Sequence, residues 1–522
     1  MNKLVKFSKS FILKQEHKIY IFYVLLIAYL LHGTPLISDD FSWIGVAKAS
    51  SLGDLLTPSN WFIVAPIEHY TLFICTRFFE LHSIFLPNII KIFYVAVSFY
   101  LISKFFSIFF NKMNSYIASF SFLFFYSHDS TTYWHVGLYM TLTIAFYLYA
   151  VYLAHKERLF SAFLMAVVAS FTSYVSIPIA VFSFFFFILH KRTKEAFLIT
   201  LPCLIFIVYY FFITHVKHSV VSRLPGSINL ADILKAYLLQ IFGFLDSIVG
   251  PSGWLKVFFA FFQISWPSIV IGLIAILILY RFLRVDNQIY GYDPKVLASF
   301  TMMMLSSFFL YAITGGYPQI CFNLGNRVTI FGSLLVVYLI IAMPINKKIK
   351  NLFLIILIFV SLGISDHWKK WSIIEQKIFQ SIKNNNELQS LPQGQVIYVS
   401  GYQYSKYGPL SHIEFFGFDD TTSSLFHLLS NGRLIARPIN KMSRFEDGYL
   451  SDVKLNTKYK IDNSGIIVYD SEGDRVLGLK GDEINHYIAG LEKNYRHWLL
   501  ILDNKRVNSF ILELSPRLKY ML

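Results

Sequence analysis

The sequence predicts a polytopic α-helical membrane protein with a C-terminal α+β domain outside the bilayer. Three observations predict it. The 522 residues are 55% hydrophobic and 18% aromatic, with a mean hydropathy of +0.53. Apolar runs of about 15 to 25 residues recur, broken by short charged loops. Beyond residue 365 these runs give way to short strand-like pieces such as "QVIYVS" and "GIIVYD", separated by turn signals such as "SNG" and "SEGD".

The N-terminal stretch "MNKLVKFSKSFILKQEHK" carries five lysines before the first apolar run. That run ends in "HGTPLISDD", which offers no small-residue cleavage site, so a retained first helix is expected. Spans are expected near 18–36, 87–110, 115–127, 137–154, 159–172, 174–190, 196–214, 257–280, 296–313, 327–344 and 351–365, about eleven in all. Residues 159–190 read as a hairpin of short helices, because the basic loops "HKER" and "HKRTK" flank them. Between the spans lie two long segments on the same side. Residues 37–86 contain the amphipathic piece "PIEHYTLFICTRFFELH", and residues 215–256 form a loop with a second interfacial helix. Two domains follow: a transmembrane module over 1–365 and an α+β domain over 366–522.

Charge sets the expected orientation. With the N-terminus inside, the inner segments collect 18 Lys/Arg and the outer segments of the membrane part collect eight. The long segments and the C-terminal domain then face outward. The net charge of +15 is no nucleic-acid signature, because residues 365–522 hold 20 Lys/Arg against 18 Asp/Glu. Cys75, Cys203 and Cys321 have the spacing of neither a metal site nor a disulfide framework.

Acids are scarce before residue 365, numbering 13. A carboxylate at a membrane boundary is costly unless it is paired, hydrated or functional. Asp39 and Asp40 stand side by side where the first helix ends, next to Trp43. A solvated helix end or an N-cap accounts for the pair on charge alone. Their mutual repulsion also raises one pKa toward a value useful to a base. The turn "YSHDSTTYWHVGLYM" gathers His128, Asp129, Trp134 and His135. An interfacial aromatic belt explains its Tyr and Trp but not its His and Asp. Arg327 opens a later helix on the outer side, and His215, Lys217, His218 and Arg223 form a cationic cluster. Snorkelling or interfacial anchoring is the structural reading of those cations. Acids and cations on one side suggest group transfer from a phosphate-linked donor: a carboxylate deprotonates an acceptor hydroxyl and cations stabilise the departing phosphate.

In these features the chain resembles the GT-C superfamily of polytopic glycosyltransferases, which use polyprenyl-phosphate sugars. "LISDDFSW" stands where that family carries its acidic pair. "APIEHYTLFICTRFFELHSIFLPNIIKIFYVAVSFYLISKFF" is similar to its interfacial helix and second span. "YWHVGLYMTLTIAFYLYAVYL" and "NRVTIFGSLLVVYL" resemble its outer turn and later arginine-bearing helix start, and "DHWKKWSIIEQKI" its approach to a periplasmic domain. The resemblance implies an inverting transferase in a bacterial inner membrane, with a cytoplasmic N-terminus and a periplasmic C-terminal domain. Size and layout point to the subgroup that decorates O-antigen or other lipopolysaccharide glycans. Asp39 or Asp40 is the expected base, and the other orients the glycan or glycolipid acceptor or holds a Mg or Mn ion, the sole cofactor considered. Arg327, His215, Lys217, His218 and Arg223 are expected at the undecaprenyl-phosphate of the donor. Trp43, Glu68, His69, His128, Asp129, Trp134 and His135 are expected to line the pocket. An O-antigen polymerase or ligase relies on arginines in large outer loops, which are few here. A lipid-sugar flippase would show broken helices repeated in two halves, which the sequence lacks.

Overall fold

The computed structural model describes residues 18–498 apart from 56–59, 217–228, 284–290, 315–317, 345, 453–456 and 463–464, and a few residues between 504 and 513. The first helix, α1 (Lys18–Leu31), leads through a tight turn into α2 (Asp39–Ala49), α3 (Asn60–Val64) and α4 (Pro66–Arg77). The bundle continues with α5 (Phe85–Phe106), α6 (Lys112–Leu123), the one-turn α7 (Ser130–Tyr133), α8 (Leu138–His155), α9 (Leu159–Thr172), α10 (Ser176–Leu189) and α11 (Thr193–Phe211). It closes with α12 (Leu230–Ile248), α13 (Pro251–Gln263), α14 (Trp266–Leu283), α15 (Pro294–Thr314), α16 (Ile330–Ala342) and α17 (Lys347–Asn384).

Among the described residues, seven helical stretches are long and apolar enough to cross a membrane, and four more apolar helices are shorter. Their outer faces carry bare apolar side chains. Leu230, Leu234, Leu238 and Phe242 form one exposed stripe along α12, and Phe258 and Phe262 continue it on α13. In water such a stripe would be unfavourable; against acyl chains it is satisfied.

Four elements differ from the sequence expectation. The span expected at 115–127 is α6, which is among neither the seven nor the four shorter apolar helices. The interfacial helix expected within 215–256 is α12, part of a membrane-length apolar stretch over Leu230–Gln263. The run at 257–280 reads as one span, yet the chain breaks at Ile264 and Ser265 between α13 and α14. Pro267 has no N–H to donate to the carbonyl four residues back, and its ring crowds the preceding turn, so α13 cannot run through it; it is tolerated in the first turn of α14. Asp366 then stabilises the new helix start, accepting from Ser265 N at 2.7 Å and Ser268 Oγ at 2.9 Å. Conversely, the sequence suggests a span ending at 365 and a separate helix after it. The structure runs one 38-residue helix, α17, through that point. At about 1.5 Å per residue it is nearly twice the ~30 Å of a bilayer core. It therefore carries the chain out of the bundle without a joint.

After α18 (Asn386–Ser390) the described residues build three small sheets. Strands β1 (Val396–Ser400), β2 (Tyr404–Tyr407) and β3 (Leu410–Glu414) precede α19 (Asp419–Leu429). Then come β4 (Ile435–Pro438), β5 (Ser443–Glu446), β6 (Tyr449–Asp452), β7 (Thr457–Lys460), β8 (Ile466–Asp470), β9 (Arg475–Leu479) and α20 (Asp482–Gly490). The main sheet has the order β4-β1-β8-β9; β1 is parallel to β4 and β8, and β9 is antiparallel. β2 and β3 form a hairpin, and β5-β6-β7 an antiparallel meander.

Apolar packing runs unbroken from bundle to sheet. Phe41 on α2 meets Phe379 of α17 and Phe415 beside β3, with ring centroids 5.9 and 6.0 Å apart. Helix α19 packs on α2 itself. The crossing of α13 on α17 depends on Gly363, where a Cβ would overlap the carbonyl of Ala260. Gly363→Val should force the two helices apart and lower stability by about 1–3 kcal/mol. The measurement is the melting temperature in detergent; an unchanged value would show that the crossing tolerates separation.

Candidate functional site

The turn between α1 and α2 explains how two adjacent aspartates come to differ. Asp40 N donates to Ile37 O at 3.0 Å, and Asp40 Oδ2 accepts from Ile37 N at 2.9 Å. This reciprocal pair closes the turn and draws the Asp40 side chain inward. Its other oxygen accepts from Val136 N at 3.1 Å. Asp40 is fully buried while Asp39 is exposed. Ser38, between Ile37 and the aspartates, sits at φ 50° and ψ −122°. That left-handed geometry costs a residue with a Cβ about 1–3 kcal/mol.

Beneath the turn lies Lys91, buried within α5. Its Nζ donates to Pro35 O at 2.5 Å and to Thr34 Oγ1 at 3.2 Å. Glu375 of α17 is also buried, has Lys91 and Asp40 as its charged neighbours, and leaves Oε2 without a partner. Burial pushes the Asp40 carboxyl up to about 7; the backbone N–H of Ile37 and the Lys91 charge act against that rise, and Asp39 adds to it.

A second centre forms around Asp129, also buried. Oδ1 accepts from Lys256 Nζ at 2.7 Å and from the Asn326 amide. Oδ2 accepts from Trp368 Nε1 at 2.9 Å and His412 Nε2 at 2.8 Å. Burial alone would raise the Asp129 pKa, but Lys256 and His412 outweigh it and hold the carboxyl well below its usual range. His412 Nδ1 accepts from Asn323 N at 3.1 Å. The ring is therefore neutral, with its proton on Nε2. Burial keeps its pKa low, against the pull of Asp129.

The turn over 126–136 joins these centres. Trp134 Nε1 donates to Ile37 O at 3.1 Å, and the Arg327 guanidinium lies 4.9 Å from the Trp134 ring centre. Tyr126 Oη donates to Ile248 O at 2.5 Å. Parts of the segments 37–86, 126–136, 215–256 and 314–327 thus meet at one place. Asp40, Trp134 and Arg327 belong to one chain of contacts that runs through Ile37.

The other residues singled out in the sequence take several positions. Trp43 of α2 meets His69 of α4 with tilted rings, centroids 5.1 Å apart, and Glu68 precedes His69 in the first turn of α4. His135 is buried among Phe79, Tyr94 and Tyr139, and both its ring nitrogens lack partners. Burial, reinforced by Lys91, takes it down to about 3. His128 bonds Thr131 Oγ1 at 2.9 Å and packs on Phe122; burial likewise lowers it to about 3. Both rings are neutral at physiological pH. Asp129 and Trp134 are internal struts, with their hydrogen-bonding groups committed to protein partners. Lys217, His218 and Arg223 lie outside the described residues, as does the side chain of His215, whose backbone ends α11 in a π-helical turn. Among the described residues no three His, Cys, Asp or Glu side chains cluster as a metal site.

Sequence reasoning overlooked Lys91, Lys256, Glu375 and His412. A signal existed for the first two. Each lysine interrupts an apolar run, "LPNIIKIFYVAV" and "GWLKVFFAFF", where an ionisable group marks a paired site. No protein-family model matches the chain, and no curated protein matches it.

Two outcomes follow from this geometry. Ser38→Gly should relieve the turn and raise stability by about 1 kcal/mol, read as a higher melting temperature; a loss would show that the serine side chain outweighs the strain. The Asp129–His412 junction should weaken in acid. Both groups have folded pKa values below their unfolded ones. Their contribution is complete above the unfolded values, about 6.5 and 3.9, and is lost as pH falls past each in turn. Hydrogen exchange at residues 410–414, corrected for the intrinsic rate, should show protection dropping from pH 7 to 5. Protection that is flat over that range would exclude the junction as a determinant of local stability.

Proposed function

We propose that the chain is a glycosyltransferase that moves a sugar from a polyprenyl-phosphate donor to a glycan or glycolipid acceptor at the outer face of a bacterial inner membrane. The observation that carries this reading is the division of labour in the acidic pair. Asp40 is sealed, both its oxygens bonded to backbone N–H groups. Asp39 is exposed at the first position of α2. Burial takes the Asp40 carboxyl up to about 7, yet a base must touch its substrate, and a fully buried carboxylate cannot. Accessibility therefore favours Asp39.

In the proposed reaction Asp39 accepts the proton of an acceptor hydroxyl. The acceptor oxygen bonds to the anomeric carbon from the face opposite the phosphate. The bond from that carbon to the phosphate oxygen breaks, and polyprenyl phosphate leaves with the electron pair. The sugar inverts. Arg327, held beside Trp134, is the cation assigned to the departing phosphate. Asp40 is a positioning residue: it fixes the turn, and Lys91 fixes the carbonyls of Thr34 and Pro35 on the other side. The exposed apolar flanks of the bundle suit a donor whose polyprenyl tail stays in the bilayer. O-antigen and other lipopolysaccharide glycans are the acceptor class this layout favours.

Asn is nearly isosteric with Asp but cannot take a proton. Asp39→Asn should leave the melting temperature near wild type and lower transfer by ~10²–10⁴-fold, measured as glycan modification in cells carrying the substitution and as polyprenyl-phosphate release in membranes. Asp40→Asn turns an amide donor toward a backbone donor and should lower the melting temperature as well. Near-normal transfer by Asp39→Asn would sink the base assignment.

A further inference from the structure

The opposite end of the bundle holds a cavity of about 210 Å³. It lies where α5, α8 and α10 end and α15 begins. Helix α5 has 22 residues, so this end is roughly 30 Å from the acidic pair, about one hydrocarbon thickness. The floor is apolar, with Ile108 and Phe186 among its residues; the rim is polar, formed by His155, His190, Arg192 and Asp293.

The polar rim is ordered. Arg192 donates to Ala154 O at 2.9 Å and His155 O at 3.3 Å, and pairs with Glu195 at 2.7 Å. His190 Nδ1 faces Phe186 O at 2.7 Å and Nε2 faces Asp293 Oδ2 at 3.3 Å. His155 is half-buried at the rim. Lys156, Lys191 and Lys194 follow in the adjoining turns. Glu195 offsets Arg192 and Asp293 faces His190, so the surplus positive charge at this mouth comes from Lys156, Lys191 and Lys194. A basic mouth above an apolar floor, between helices at a bundle end, matches a phosphate ester that has hydrocarbon attached. A free phosphate would use the rim and leave the floor uncovered.

We infer that this cavity binds the phosphate headgroup of an anionic phospholipid, with His155 and the lysines of the adjoining turns, Lys156, Lys191 and Lys194, around the phosphate and Ile108 and Phe186 against the start of the acyl chains. The site is separate from the acidic pair and does not depend on the transferase reading.

Native mass spectrometry of the purified full chain in detergent tests it, with phosphatidylglycerol, phosphatidylcholine and inorganic phosphate as probes. Wild type should retain one phosphatidylglycerol at least tenfold more strongly than phosphatidylcholine. His155→Glu places a carboxylate at the rim, and Ile108→Trp fills the cavity from an apolar position. Each should abolish that preference while the melting temperature identifies the folded variants. Equal retention of both lipids by wild type, or an undiminished preference in a folded variant, would overturn the site. Saturable phosphate binding without lipid retention would overturn the lipid as occupant.

Discussion

A carboxylate removed from water must find partners for all its lone pairs, and Asp129 finds them on four separate elements. Lys256 comes from α13, Asn326 from the turn before α16, Trp368 from α17 and His412 from β3. The last partner lies 283 residues further along the chain. Removing any one leaves a charge or a polar group uncompensated in a low-dielectric interior, where that is far costlier than at a surface. Asp129 therefore ties the bundle to the C-terminal domain, alongside the packing of Phe41 on Phe415 and of α19 on α2. The same logic recurs at lower burial. Asp246 on α12 meets His497 at 2.9 Å and Trp498 Nε1 at 2.9 Å, and Asp366 on α17 bonds the start of α14. The scarce acids act as joints between elements.

This arrangement gives the acidic pair its asymmetry. The turn containing Val136, which bonds Asp40, is the same turn that carries Asp129. Helix α17 contributes both Trp368 to Asp129 and Glu375 to the neighbourhood of Asp40 and Lys91. Fixing Asp129 thus fixes the wall against which Asp40 is buried, and with it the outward direction of Asp39. The C-terminal domain takes part directly. Phe415 packs on Phe41, and α19 lies along α2. A displaced domain would move the helix that begins with the aspartates.

The scale and class of the fold were legible because hydropathy is local. A run such as "LPNIIKIFYVAVSFYLISKFF" is apolar wherever it ends up, and it forms α5. Boundaries were less legible. The break at Ile264 depends on Asp366, about a hundred residues away, and the continuity of α17 depends on partners for its polar middle, such as Tyr29 O for Lys369 at 2.8 Å. At the candidate site, the acidic pair, the turn over 126–136 and Arg327 could be picked out by residue type. Lys91 and Lys256 stand out in sequence as interruptions of apolar runs, but which acid each one meets is set only by their burial beside Asp40 and Asp129.

The sequence by itself determined that this chain would bury most of its length in apolar helices, follow them with a small α+β region, and place two carboxylates where the first helix ends. Those properties follow from composition and short-range pattern, which every residue carries with it. The tertiary structure decided which aspartate faces out, which histidines are neutral, and which lysine answers which acid. Each of these is set by desolvation and by partners distant in the chain, and neither quantity exists until the helices have packed.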